Sequence, residues 1–366
     1  MHSDVLLVVV VATALAFDFT NGFHDTANVV ASSISTRALA PRTAIGLASV
    51  LNFVGAFISL KVAATIATGI VDAGQVTQTI AFAGLVGAIL WNLITWAYGL
   101  PSSSSHALIG GVVGAMLAAV GGAGVKGSGI LEKVVLPALL APVAAFALAG
   151  LAIIIIYRLV GQRKPGSVTR GFRLGQIASS SALALAHGTN DAQKTMGVIT
   201  LALVAHGDFR PGNASVPTWV VISAASAISL GTYAGGWRII RTVGTRIIKM
   251  DSAQGFAAQA TGAAVILVSS HFGYPLSSTH VISGGVMGAG AAKRVSAVRW
   301  GVAGNIAAAW VVTLPAAGCF GAGAYWLSSA FGSGVLGPLV ISAAAIAALT
   351  AVLTAHRRGV AAAASA

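Results

Sequence analysis

The chain has 366 residues, of which 56% are hydrophobic and only 8% charged, with a formal net charge of +13. Soluble domains carry about 25% charged residues, so this composition excludes an ordinary soluble globular protein. The basic excess argues against a nucleic-acid binder too, because Lys and Arg fall in short clusters between apolar runs, where they mark the cytoplasmic side of a membrane protein and meet anionic lipid.

Apolar runs of about 18 residues or more recur from end to end, each long enough to cross a bilayer as a helix. They are continuous rather than alternating, which favours helices over a barrel. The first, 5–36, is interrupted by "NGFHDTAN" (21–28). Its start, 5–17, has the length of a signal-peptide core but lacks a basic flank and a small-residue cleavage site, so it is expected to belong to the membrane domain. A basic turn with Arg37 and Arg42 leads to runs at 43–70 and 79–98, and "PSSSSH" (101–106) opens a short run at 107–121. The run at 134–157 precedes Arg158, Arg163, Lys164, Arg170 and Arg173. The run at 175–204 contains "HGTNDAQK" (187–194), and 217–235 is followed by Arg238, Arg241, Arg246 and Lys249. After 253–270, "PLSSTH" (275–280) opens a short run at 281–292, then come Lys293, Arg294 and Arg299. Runs at 300–326 and 334–355 precede Arg357 and Arg358. Each counted once, these are eleven spans, with the N-terminus outside and the C-terminus inside; 5–36 and 175–204 could each be two pieces. Cys319, inside an apolar run, reads as a packed core thiol. Lys61 is expected to snorkel or to pair with an acid, and His2, His206, His271 and His356 to be interfacial. "NAS" at 213–215 is a weak match to a glycosylation sequon.

Two segments occur twice. "NGFHDTAN" aligns with "HGTNDAQK", which sets Gly22 on Gly188 and Asp25 on Asp191. "GLPSSSSHALIGGVVGA" (99–115) aligns with "GYPLSSTHVISGGVMGA" (273–289), which sets Ser103, Ser104 and His106 on Ser277, Ser278 and His280. The offsets, 188 − 22 = 166 and 273 − 99 = 174, are nearly equal and define two halves. Each strongly basic loop of one half matches a weakly charged loop of the other, so the positive-inside rule inserts the halves upside down relative to each other. The expected fold is an all-α polytopic membrane protein of two inverted-topology repeats, with broken helices, re-entrant hairpins and about 10–12 transmembrane segments. Its units are 1–160 (first repeat), 161–174 (basic cytoplasmic linker), 175–330 (second repeat) and 331–366 (an extra span and tail).

Asp18, Asp25 and Asp191 lie within apolar segments, where an unpaired carboxylate costs a few kcal/mol. Such groups persist where they face a cavity, an ion or a partner. Equivalent placement of Asp25 and Asp191 predicts that they approach each other across a pseudo-twofold axis, as a proton site or sharing a cation or metal; Asp18 is a third ion ligand or a partner of Lys61. Asn28, Asn190, Thr26 and Thr189 supply oxygens suited to hard cations or phosphate, with Asn21 and His187 in equivalent places. Gly22 and Gly188 would let the helices break there. Lys194, one turn from Asp191, either neutralises it, meets an anion or snorkels. Ser103, Ser104, Ser105, Ser277, Ser278 and Thr279 are predicted to converge from two half-helix tips and ring a tetrahedral anion with hydroxyl and amide donors; helix capping and tight packing are the plainer reading. His24, His106 and His280 relay protons or bond a neighbouring backbone. No P-loop, nucleophile elbow or zinc cluster accompanies these residues, so no enzyme is indicated.

"FDFTNGFHDTANVVASSISTRALAP" (17–41) and "LALAHGTNDAQKTMGVITLAL" (183–203) resemble the two signature motifs of the inorganic phosphate transporter (Pit) family, and the two Ser-His segments resemble its paired hairpin motifs. The resemblance spans roughly residues 10 to 300 and implies a bacterial low-affinity phosphate symporter with Asp25, Asn28 and Asp191 at the signature positions. Lys194 stands where many members have Asn. That is similar to the proton-coupled branch, thought to carry phosphate as a neutral divalent-metal complex. The resemblance implies no resident cofactor beyond co-transported H+ or Na+ and, with phosphate, Mg2+ or another divalent metal. It implies alternating access in a bacterial cytoplasmic (inner) membrane. Sodium coupling, a sulfate permease of the same superfamily and an anion channel are the alternatives. The partners are phosphate, a coupling cation and lipid, without nucleic acid; a homodimer is one open assembly.

Overall fold

A computed structural model of the chain describes residues 2–210, 215–332 and 334–347. The chain begins with α1 (His2–Ser35), α2 (Pro41–Gly55), α3 (Lys61–Gly69), α4 (Gln78–Tyr98) and α5 (Ser104–Val120). A short α6 (Gly127–Ile130) runs through a π-helical turn into α7 (Leu136–Val160). Then come α8 (Pro165–His206), α9 (Thr218–Ala234), α10 (Trp237–Arg241), α11 (Ser252–His271), α12 (Ser278–Lys293), α13 (Trp300–Ser329) and α14 (Leu336–Ala347). The only extended pairing among the described residues is an isolated bridge of Val71 with Val125.

Local chemistry sets the ends that matter for the site. Thr77 starts α4 by accepting from the Ile80 amide, and Gly99, at φ 65°, ends it in the left-handed conformation that other residues avoid. Four residues later Ser103 caps α5 through the His106 amide at 3.1 Å. The second half repeats the device: Gly273 (φ 77°) follows α11, and Ser277 caps α12 through the His280 amide at 3.3 Å. Two helical hairpins result, α4–α5 and α11–α12, with "PSSS" and "PLSS" at their tips.

Two apolar cores lie on either side of a polar layer. One takes Leu6 to Phe17 of α1, Ile80 to Ala88 of α4 and Ala192 to Leu203 of α8. The other takes Ala27 to Ala31 of α1, Leu183 to Ala186 of α8 and Ile239 to Ile248. Helix α1 therefore runs from the first core through residues 18–26 to the second, and α8 runs from the second through residues 187–191 to the first. The two helices cross the layers in opposite senses.

Packing is reciprocal. α1 packs on α9 as α8 packs on α2, and α5 packs on α13 as α12 packs on α7. Where α2 meets α9, Ser49 Oγ donates to the Ser229 carbonyl at 2.8 Å and Ser229 Oγ to the Ser49 carbonyl at 2.9 Å. A Cβ at Gly110 or Gly114 would strike the Leu314 or Gly318 carbonyl; one at Gly284 or Gly288 would strike those of Pro142 and Phe146. Glycines at these crossings let backbones touch, which is how helices associate in lipid.

The structure corrects several expectations. The run at 43–70 is two helices, α2 and α3, because the chain turns at residues 56–60. Gly22 and Gly188 do not break their helices: α1 is continuous over 34 residues and α8 over 42. Both glycines are contact points instead, where a Cβ would meet the Ile228 and Asn52 carbonyls. Breaks fall elsewhere, between α2 and α3 and in the 60° bend between Thr218–Ala234 and Trp237–Arg246. The basic segment 161–174 is helical from Pro165 onward. By length and composition alone, four helices among the described residues qualify as spans: Ser3–Ser35, Gln78–Tyr98, Gly127–Val160 and Trp300–Ser329, or five counting the bent pair. Cys319 is exposed on α13 rather than packed in the core. Lys61 is exposed at the start of α3 and makes no ion pair with Asp18. The extra span at 334–355 is seen as α14; its remainder, His356, Arg357, Arg358 and part of the 213–215 sequon lie outside the described residues.

The end of α7, the start of α11 and the end of α12 meet. Lys293 meets Asp251 at 3.0 Å, Tyr157 Oη donates to Asp251 at 2.9 Å, and the Arg299 amide donates to the Ile247 carbonyl at 3.0 Å. His206 lies 3.2 Å from Asp4 and 3.1 Å from Asp208.

Candidate functional site

The polar layer holds Asp25, Asp191 and both hairpin tips, all buried. Ser104 of the first tip donates to Asp25 Oδ2 at 2.7 Å. Ser278 of the second lies 3.3 Å from Asp25 Oδ2 and 3.2 Å from Asp191 Oδ2, and Thr279 lies 3.5 Å from Asp25 Oδ1. Asn28 Nδ2 donates to Thr279 Oγ1 at 2.9 Å and to Ser278 Oγ at 3.3 Å. The tips also touch each other: Ser105 Oγ donates to the Leu276 carbonyl at 3.1 Å. Ligand atoms of Asp25, Asp191 and His187 lie within 4.8 Å of one another, a spacing at which one cation can be shared.

Each half supplies one histidine beside its aspartate. His24 Nδ1 is 2.7 Å from Asp25 Oδ1, and its Nε2 faces Thr95 Oγ1 at 3.2 Å and Ser102 Oγ at 3.4 Å. His187 Nε2 is 2.9 Å from Asp191 Oδ2, off the line of a hydrogen bond, and its Nδ1 faces Asn52 Oδ1 at 3.2 Å. The two are not repeat equivalents: His24 aligns with Asn190 and His187 with Asn21. Lys194 is buried, bonds Asp191 Oδ1, and donates to Ser105 Oγ at 2.5 Å and to the Leu276 carbonyl at 2.8 Å.

Other sequence-predicted residues stand apart from this cluster or serve it differently. The Ser103 and Ser277 hydroxyls are engaged as caps, the plainer of the two readings for a serine run. Asn190 Nδ2 donates to Ser270 Oγ at 3.0 Å. His106 and His280 contact each other, with ring centroids 4.7 Å apart, and His280 stacks on Trp310 at 4.1 Å. His280 Nδ1 donates to the Ala138 carbonyl at 3.3 Å, so this pair sits behind the tips and touches neither aspartate. Asp18 is buried, with Asn21 and Thr195 as the hydrogen-bonding side chains beside its carboxyl group. Thr26 and Thr189 bond helix carbonyls.

Sequence reasoning missed Thr95, Ser102 and Asn52, which orient the two histidines. An isolated Thr or Asn in an apolar run was the available signal; Asn52 also donates to Thr232 Oγ1 at 2.8 Å across the α2–α9 contact. Beside the first hairpin, a cavity of about 470 Å3 is bordered by Gly99, Arg238, Arg241 and Arg246, and Thr242 Oγ1 donates to the Gly99 carbonyl at 2.9 Å.

A helical membrane bundle whose buried charged layer is closed by two opposed hairpin tips has the build of a secondary transporter. The chain belongs to the phosphate transporter family, whose profile matches residues 21–168 and 161–321. It is 52% identical over 345 residues to a probable low-affinity inorganic phosphate transporter of Mycobacterium leprae (strain TN), covering 93% of this chain and 83% of that protein. A probable low-affinity inorganic phosphate transporter of Bacillus subtilis (strain 168) is 45% identical over 325 residues, 88% of this chain and 97% of that one. Among solved structures, the sodium-dependent phosphate transporter is similar with a TM-score of 0.76 and 26% identity, over 88% of this chain and 98% of that chain. The family and these relatives are transporters, not enzymes.

Proposed function

We propose that this chain imports inorganic phosphate through a bacterial cytoplasmic membrane by cation symport, with two inverted repeats alternating access to the Asp25–Asp191 site. The observation that carries the reading is the convergence of Ser104, Ser278 and Thr279 on Asp25, with Ser278 also on Asp191. These hydroxyls now donate to carboxylates. A proton or metal arriving at the carboxylates frees the hydroxyls to donate to phosphate oxygens, so cation and anion binding support each other. Phosphate entering a negative cell also needs charge compensation, because each elementary charge is worth about 2.3 kcal/mol per 100 mV.

The His24–Asp25 contact favours the proton as coupling ion, since imidazole and carboxylate can share one. The spacing of Asp25, His187 and Asp191 would also hold a divalent metal carried as cargo with phosphate. Sodium is the second reading, favoured by the likeness to a sodium-dependent transporter. Radiolabelled phosphate uptake into proteoliposomes, under imposed proton or sodium gradients with and without magnesium, tests the proposal. Saturable uptake driven by an inward proton gradient is expected. Uptake that ignores both cation gradients would indicate a channel, and full competition by sulfate would indicate a broader oxyanion carrier.

A further inference from the structure

The two halves differ at one buried position. Asn28 and Lys194 are repeat equivalents, 194 − 28 = 166. Their surroundings match: Asn28 Nδ2 bonds Thr279 Oγ1 at 2.9 Å, and Lys194 Nζ bonds Ser105 Oγ, the equivalent of Thr279, at 2.5 Å. In the first half the Asn28 Oδ1 atom is buried with no hydrogen-bond partner. In the second half the Lys194 ammonium sits among a carboxylate oxygen of Asp191, the Ser105 hydroxyl and the Leu276 carbonyl. Carboxylate, hydroxyl and carbonyl oxygens are the ligand set of a hard cation. An ammonium is a compact point charge with three protons, and here three oxygens take them.

We propose that Lys194 is a tethered cation: its ammonium permanently fills, in the second half, the oxygen cage that a free monovalent cation such as sodium would otherwise occupy. This rests on the transport reading and deepens it. Lys194 is then not a phosphate contact but a fixed countercharge to Asp191 that also ties Ser105 of one hairpin tip to Leu276 of the other. A transporter built this way moves one fewer coupling cation per phosphate than one with an amide at both positions. Replacing the ammonium by an amide removes the fixed charge and supplies an oxygen, which reopens the cage to a free cation.

The experiment compares full-length wild type with Lys194→Asn, Lys194→Gln and Lys194→Met. Thermal stability of each purified protein is followed in sodium chloride against choline chloride at equal ionic strength, and phosphate uptake is measured with and without a sodium gradient. The amide variants are expected to gain a saturable sodium-induced rise in Tm, about 5 °C beyond any rise in wild type, because a ligand that binds only the folded state stabilises it. Their uptake becomes sodium-dependent by about tenfold or more. Lys194→Met, which offers no oxygen, shows neither effect. Equal sodium responses in wild type and both amide variants would overturn the proposal, as would wild-type uptake by either amide variant in sodium-free medium. Two amide lengths guard against one of them failing to fold. Should wild type itself carry no phosphate while the sodium response stays confined to the amide variants, the transport reading fails and the tethered cation stands.

Discussion

Asp25 and Asp191 belong to opposite halves of the chain, yet they share one hydroxyl: Ser278 Oγ is 3.3 Å from the first and 3.2 Å from the second. That hydroxyl has one proton and faces two carboxylates. Lys194 compensates Asp191, and His24 is in contact with Asp25. Asp191 thus has a fixed countercharge and Asp25 has none, so admitting an anion beside Asp25 requires a further cation.

Asp25→Asn and Asp191→Asn remove the two charges while keeping the side-chain shape. Each is expected to lower phosphate accumulation by about tenfold to a hundredfold, the worth of a hydrogen bond to a charged group. Uptake into proteoliposomes measures the loss, and gel filtration in detergent shows that the fold survives. Near-normal accumulation by either variant would remove that aspartate from the mechanism.

The serines divide by what they bond. Ser104→Ala and Ser278→Ala strip donors from Asp25 and are expected to impair transport with little change in Tm, Ser278→Ala more so because it serves both aspartates. Ser103→Ala and Ser277→Ala remove helix caps and are expected to cost about 1 kcal/mol of stability each. Kinetics and thermal melts on the four variants separate the pairs.

Gly22→Ala and Gly188→Ala insert a methyl against the Ile228 and Asn52 carbonyls. Backbone cannot yield as a flexible side chain does, so each is expected to cost about 1–3 kcal/mol through overpacking. Gly46→Ala, with nothing within 4 Å of its Cβ position, serves as the control and should leave Tm nearly unchanged.

Asp251 caps α11 in a reciprocal box with Gln254 and bonds Tyr157 and Lys293. Burial pushes its carboxyl up, but the Gln254 amide, Lys293 and Tyr157 outweigh burial and hold it below its ordinary value of 3.8. A carboxyl lowered by folding stabilises the protein above its unfolded value and loses that contribution as pH falls through the folded one. Asp251→Ala should therefore lower stability by about 1 kcal/mol at neutral pH. The gap from wild type should close below pH 3.8, which melts across an acid series would show.

The site was more legible in the sequence than the helix boundaries. Asp25, Asp191 and the serine tips stood out because each motif occurs twice in one order and because charge and hydroxyl runs are costly in an apolar segment. The division of labour within the serines was hidden, since a run of four marks no register until the helix start is known. Gly22 and Gly188 were misread because glycine signals a break and a close approach equally well. The turn at residues 56–60 lies in an apolar stretch with no proline to mark it. Cys319 was misplaced because the outward face of α13 is as apolar as its packed face, so hydropathy does not tell lipid from core. The role of Lys194 needed the structure: sequence put it beside Asp191, but not between Ser105 and Leu276.

The convergence of the two hairpin tips is open to direct chemistry. Ser104 and Ser278 both lie within hydrogen-bond distance of Asp25 Oδ2, at 2.7 and 3.3 Å. With Cys319, the single native cysteine, changed to serine, the double variant Ser104→Cys/Ser278→Cys should form an intramolecular disulfide in membranes under mild oxidation. That disulfide should stop whatever phosphate uptake the reduced double variant retains, and reductant should return uptake to that reduced level. If no disulfide forms under any oxidant while the reduced double variant still transports, the tips do not meet at a common site, and the mechanism built on Asp25 and Asp191 falls.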